Sequence, residues 1–347
     1  MRKNLVFVCL AILLAMTLIT SCDNSNTTPS SREIALAVDE EGLINALEAG
    51  KDVILFKDVT LSDPLTISSS TQINLQGRTL TINDIKIKTS GDSNTEVVFR
   101  NGKIQRTAPT TNTAISTVSA YENTKLVLDG VELSTTQSGL FAANNNDNIT
   151  IEVLNSKIEA ACYGIGTNAT IPNPSSNIKL VIKNSEITTK SSNGDNTGIL
   201  FNVKGSVEIE NSVITGDRQA LILRGGEGHK ITNSTLVATG ENKITAEYTA
   251  SDNTGTWKSG NEVPLSSLVI GNRSSSAYKY NTSVELNNVT INNPDKNDAG
   301  KDYYSIYVYQ NDTNNTVSVT GTLSSNSKSK VNDNKNNATY SVTGGTN

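Results

Sequence analysis

Cysteine is scarce in this chain of 347 residues: Cys9 and Cys22 stand near the start, and only Cys162 lies beyond them. A single thiol can neither close an internal disulfide nor build a thiolate metal site, so an exported fold must stand on packing alone. Cys162 sits in Ala-Ala-Cys-Tyr-Gly and reads as a small buried residue. Aromatic residues make up 5% of the chain, with Trp257 the one tryptophan and His229 the one histidine. Positive charge is in deficit. The net charge of −5 argues against nucleic acid or an anionic membrane surface as a partner. No apolar stripe of period 3.6 recurs, which excludes helical repeat arrays, and no helix-forming stretch separates the repeats as leucine-rich repeats require. What the chain has in abundance is Asn, Ser, Thr and Gly, a composition that favours many short strands and turns.

The first residues stand apart from the rest. Arg2 and Lys3 form a short basic head, and Leu5 to Leu18 is almost unbroken in apolar character. That stretch is too short and wrongly flanked for a stable membrane span, and reads as an export signal. Leu18-Ile19-Thr20-Ser21-Cys22 resembles the bacterial lipobox. The resemblance implies that residues 1–21 are removed and that Cys22 is lipidated, with palmitate among its acyl chains. It places the protein in the cell envelope, anchored to a membrane by lipid, with the outer membrane or cell surface as the expected location. Residues 22–32 are polar and read as a tether, leaving 33–347 as the folded domain. A compact core of that length is unusual, but repeat folds escape the limit because each unit packs only on its neighbours.

Repetition is the strongest signal in that domain. The segments starting at Ile151, Leu180, Val207 and Val284 share alternating apolar residues, then Asn, then an apolar residue three places later. Set on that Asn or a substituting Gly, the anchors are Gly77, Asn101, Gly130, Asn155, Asn184, Asn211, Asn233 and Asn288, with Gly321 and Gly344 continuing more weakly. Their spacings are 24, 29, 25, 29, 27, 22 and 55 residues. The last spacing is either two coils or one coil with a long excursion, and residues 241–264 are where the extra length lies. Period-two alternation puts one face of each strand in a core. Asn and Gly tolerate the left-handed backbone of a sharp corner, which is why they alone fill the anchor. Stacked coils would bring the Asn side chains into a ladder.

These features predict an all-β fold, a right-handed parallel β-helix (a β-solenoid) of about ten coils, near 50 Å long at roughly 4.8 Å per coil. Leu43, Ile44 and Leu47 lie on one helical face before Gly50, so a short N-terminal helix is expected to cap the open end. Coil pattern and cap together resemble the pectin-lyase-like family of parallel β-helix proteins from roughly Glu33 to Gly345. Many activities share that fold.

The family includes polysaccharide lyases and hydrolases, and the resemblance implies where their chemistry would sit. Asn196-Thr197-Gly198, Gly216-Asp217-Arg218-Gln219 and Gly228-His229 follow the order of a polygalacturonase pattern. The first aspartate is missing, Arg218 stands where a second Asp belongs, and Lys230 replaces the last glycine. One carboxylate cannot serve as both acid and base. His229 falls in a column otherwise filled by Val, Ile or Leu, so packing explains it. A lyase would use Asp217, Arg218 and Arg224, with Lys204 and Arg273 on neighbouring coils, to clamp a uronate carboxylate. Calcium would be its cofactor, yet no acidic cluster accompanies these residues to hold the ion. No other cofactor and no metal site is expected.

Each coil also has a second strand that is apolar on both faces, such as Ile199-Leu200-Phe201 and Leu221-Ile222-Leu223. One alternate set would point outward as a stripe of Phe141, Leu200, Ile222, Val269 and Tyr307, with Tyr309 beside it. Either the excursion at 241–264 covers that stripe, or it is a docking surface for a partner or a glycan. The functional expectation is a non-catalytic, surface-anchored rod that binds a glycan or a cell-surface protein. The alternatives are a lyase or hydrolase acting on uronate-containing polysaccharide, and a purely structural envelope component.

Overall fold

A computed structural model describes residues 32–89, 94–106, 116–142, 148–167, 177–190, 196–241, 264–271, 280–309, 315–325, 330–332 and 339–342. The signal segment, the tether with Cys22, Trp257, Arg273, Gly344 and most of the 241–264 excursion lie outside these residues. Residues 34–347 form one compact unit. Among the described residues it is all-β with one short helix, and its strands are parallel, in a sheet of eighteen and a sheet of ten. Each coil contributes two consecutive runs to the larger sheet, one on either side of the anchor residue, and one strand to the smaller sheet. The arrangement is a parallel β-helix-like solenoid.

The anchor column carries the geometry that the repeat demands. Asn101, Asn155, Asn184, Asn211, Asn233 and Asn288 all have φ between 48° and 56°, and Gly77, Gly130 and Gly321 stand at 74°, 65° and 80°. Only residues without a strong Cβ penalty hold that left-handed conformation routinely. The amide ladder forms in two runs. Asn155 donates to Asp129 at 3.0 Å, Asn184 to Asn155 at 3.3 Å and Asn211 to Asn184 at 3.3 Å, and farther along Asn288 donates to Asn233 at 3.1 Å.

Before the corner, Ile73, Phe99, Leu128, Val153, Ile182, Ile209, Ile231, Leu286 and Val319 stack in register with no solvent exposure. Beyond it, Leu80, Ile104, Leu133, Ile158, Ile187, Ile214, Leu236 and Ile291 do the same. Each buried aliphatic side chain stabilises the stack by about 1.5–3 kcal/mol before the cost of ordering the chain. At the first anchor, Gly77, the repeat pattern puts Leu75 beside Phe99, but Ile73 takes that position. Gln76 and Gly77 are both left-handed there, and the wider corner absorbs the two extra residues between Asn74 and Thr79.

The 55-residue spacing is one coil with an excursion. Strand Gly226–Thr232 pairs directly with Thr282–Asn292, and Gln219–Leu223 pairs directly with Ser266–Ile270, which leaves no room for a further coil. Helix α1, Glu40–Glu48, starts at Asp39, whose carboxylate accepts the Gly42 N–H at 2.9 Å. It ends in a Schellman arrangement, with Gly50 N–H donating to Leu47 and Lys51 N–H to Ala46, and Gly50 at φ 66°. The helix buries Leu43, Ala46 and Leu47 on the first coil, while Ile44 stays partly exposed.

Candidate functional site

Asp217 and Arg218 occupy the turn between strands Val213–Gly216 and Gln219–Leu223, and Arg224 follows the second strand. Six steps of extended chain, roughly 20 Å of backbone at about 3.3 Å each, separate Arg218 from Arg224. Sequence proximity therefore does not become one site: Asp217 and Arg224 stand at opposite ends of a strand. All three are buried.

The Asp217 carboxylate is engaged within its own stack. It accepts from the Thr239 hydroxyl at 3.1 Å and the Asn196 amide at 3.4 Å, which come from the neighbouring coils. Its backbone carbonyl accepts from the Gly240 N–H and from the Tyr303 hydroxyl, both at 3.0 Å. Burial pushes the carboxyl above its ordinary value, against the pull of the Thr239 and Asn196 hydrogen bonds. Lys204 is exposed at a turn on the preceding coil. Among the described residues, no group of three or more His, Cys, Asp or Glu is placed to hold a metal ion.

His229 lies on the inward face of strand Gly226–Thr232, in register with Val284, and has no solvent exposure. Its Nε2 donates to the Gly225 carbonyl at 2.8 Å, its Nδ1 accepts from the Val207 N–H at 2.9 Å, and its ring meets Phe201 edge-on at 5.5 Å. Both ring nitrogens are used, and burial lowers the imidazole to about 4. A neutral, doubly bonded imidazole of this kind is a core residue.

The apolar stripe exists, but it is not an open face. Phe141, Gly166, Leu200, Ile222, Val269 and Tyr307 follow one another in register across the ten-stranded sheet. Leu200, Ile222, Val269, Tyr307 and Tyr309 are each at most 2% exposed and form, with Cys162 and Tyr163, a second apolar cluster outside the main core. Only Phe141 is partly exposed. Of the two readings of the stripe, a covered layer or a docking surface, the burial of Leu200, Ile222, Val269, Tyr307 and Tyr309 is that of a covered layer. Alternation decides which way a side chain points, and not whether another segment lies on top of it.

A different feature stands open. Along the corner between the two runs of the larger sheet lies a groove of about 660 Å³, reaching from Gly77 to Asn211. Asn155, Asn184 and Asn211 line it, and Ser156 and Ser185 belong to its floor. The serines that follow Asn155, Asn184, Asn211 and Asn233 form a second ladder. The backbone N–H groups of Ser156, Ser185 and Ser212 donate to the hydroxyls of Ser185, Ser212 and Ser234, each at 3.1 Å. Its signal in the sequence is the recurring Asn-Ser pair at 155, 184, 211 and 233. Two positions beyond the anchor, Lys103, Glu132, Lys157 and Glu186 alternate in sign on successive coils. Lys103 and Glu132 pair at 2.9 Å. The groove wall therefore offers both donors and acceptors at no net charge.

No protein-family model matches the chain, and no curated protein matches it. Among solved structures it is similar to an alginate lyase from Paenibacillus sp. str. FPU-7, at 12% identity and a TM-score of 0.37, over 91% of this chain and 99% of that one. Likeness at that level carries no residue correspondence.

Proposed function

We propose that the chain is a non-catalytic, lipid-anchored envelope rod that binds a neutral glycan along its corner groove, built on right-handed coils of the pectin-lyase-like kind. Right-handedness is the hand that right-twisted strands impose on parallel crossovers. The observation that carries the binding reading is the groove itself, with its amide and hydroxyl ladders and its self-cancelling wall of Lys103, Glu132, Lys157 and Glu186. Such a wall suits an uncharged polymer of hydroxyl groups better than a polyuronate, which would meet as many carboxylates as ammonium groups. Against catalysis stand the hydrogen-bonded Asp217, the distant Arg224 and the satisfied His229.

The test is affinity electrophoresis of residues 22–347 through gels that contain neutral or uronate polysaccharides. The reading expects retardation by a neutral glycan, unchanged polymer length, and at least tenfold weaker binding by a correctly folded Glu132→Lys, Glu186→Lys double variant. Shortened polymer would replace binding by lyase or hydrolase activity. Equal migration in all gels would leave a protein partner or a structural role.

A further inference from the structure

The outward face of the first coil is unlike the rest of the larger sheet. Strand Ile34–Ala37 pairs with Asp52–Leu55, and the Phe56 N–H donates to the Ala37 carbonyl, so Ile34, Leu36 and Val38 stand beside Asp52, Ile54 and Phe56. Ala37, Val53 and Leu55 point into the core, which leaves the other set outward. Five of those six outward positions are apolar, although Ile54, between Leu36 and the next coil, is itself buried at 6% exposure, as is Asp52 at 7%. Ile34, Leu36, Val38 and Phe56 are 53, 46, 47 and 38% exposed, and Val213 is the one other large apolar side chain so exposed among the described residues. One coil further on, the same face carries Gln72, Asn74 and Gln76. The patch is thus confined to the end of the solenoid where the chain enters it. The far edge of strand Ile34–Ala37 pairs with no described strand.

We propose that this patch rests on the surface of a zwitterionic phospholipid bilayer and orients the solenoid on its membrane, an inference that rests on lipidation of Cys22. Twelve Cα-to-Cα steps join Cys22 to Ile34, a reach of about 40 Å fully extended and about 20 Å on average for a flexible chain. The anchor therefore holds the patch next to the bilayer at high effective concentration, where a weak apolar contact suffices as a second attachment. The intervening residues Asp23 to Ser31 are Asp, Asn, Ser, Thr and one Pro, so the tether itself brings no large apolar side chain to the patch. The lipid class follows from charge. Over residues 32–58 the acidic Glu33, Asp39, Glu40, Glu41, Glu48, Asp52 and Asp58 outnumber Arg32, Lys51 and Lys57, so an anionic surface would repel this end.

The experiment couples a lipid chemically to Cys22 of residues 22–347 carrying Cys162→Ser, so that the coupling cannot reach the buried second thiol. A tryptophan is placed at the patch by Phe56→Trp in a Trp257→Phe background, and its quenching by brominated phosphatidylcholine is compared with that of Ser318→Trp on a distant coil. The proposal expects at least twofold stronger quenching at position 56, lost when Leu36→Ser and Val38→Ser are added and reduced in vesicles rich in phosphatidylserine. Equal quenching at both positions overturns it. So does a vesicle-free dimer in sedimentation equilibrium that shields position 56, because the patch would then belong to a second copy. Because the lipid is attached by hand, failure here is separate from failure of the anchor, which the mass of the N-terminal peptide from the bacterially expressed chain reads directly.

Discussion

The Nδ1 of His229 accepts the backbone N–H of Val207 from the adjacent coil at 2.9 Å, so the one imidazole of the protein serves as a rung between two strands. The bond requires the neutral ring. Below the ordinary value of 6.5 the unfolded chain takes up a proton that the folded chain refuses until about 4. Stability should therefore fall as pH drops through that window, by on the order of 3 kcal/mol, and level off below it. Urea unfolding midpoints between pH 8 and 4 measure this. His229→Leu should flatten the component while lowering stability at pH 8 by about 1–3 kcal/mol, because the Val207 N–H loses its acceptor.

Asn184 holds a left-handed corner and links two rungs of the amide ladder. Asn184→Ala should cost roughly 2–3 kcal/mol, the backbone conformation and the lost hydrogen bonds acting together. Asn184→Gly should cost clearly less, since Gly77 and Gly130 fill the same position elsewhere. Equal losses in denaturant midpoint for the two variants would show that the ladder, and not the backbone angle, governs this corner.

Gly164 has no space for a methyl group. A Cβ there would lie 2.2 Å from Ile187 Cγ2 and 2.7 Å from the Gly198 carbonyl oxygen. Gly164→Ala should destabilise by about 1–3 kcal/mol, as overpacking does. Thermal melting followed by circular dichroism reads the loss, and a melt unchanged from the parent would contradict the close approach.

Asp217 is a buried carboxyl whose affinity for protons is raised by burial. The folded chain keeps that proton to higher pH than the unfolded chain, so this group's contribution falls as pH rises from the ordinary carboxylate value. Asp217→Asn should remove that decline and leave the protein at pH 7 as stable as the parent or up to about 1 kcal/mol more stable. Glycan retardation should not change. Lost binding or lost polymer cleavage would restore Asp217 as a functional residue.

Much of the coil was legible beforehand because the period-two alternation and the left-handed anchor are local properties of the backbone. Asn155, Asn184 and Asn211 could be placed at corners, and His229 in the core, from the column each occupies. The first anchor, Gly77, misled at Leu75, where an extra left-handed residue at Gln76 shifted the register by two. The candidate site was less legible. Asp217 and Arg224 are near in sequence, but an extended strand between them drives their backbones apart. The groove gave no signal of its own, because a concavity arises from how successive corners stack. The Asn-Ser pairs that line it were visible only as part of the repeat.

The sequence alone determined an all-β stack of parallel coils, since each strand's inward face and each corner's backbone angle follow from residues a few positions apart. The packing of the whole chain is what left the stripe from Leu200 to Tyr307 buried and Ile34, Leu36, Val38 and Phe56 exposed. Both sets are apolar and both point outward by alternation. Coverage is a property of distant segments meeting in space, and no local pattern encodes which of two equal faces they will meet.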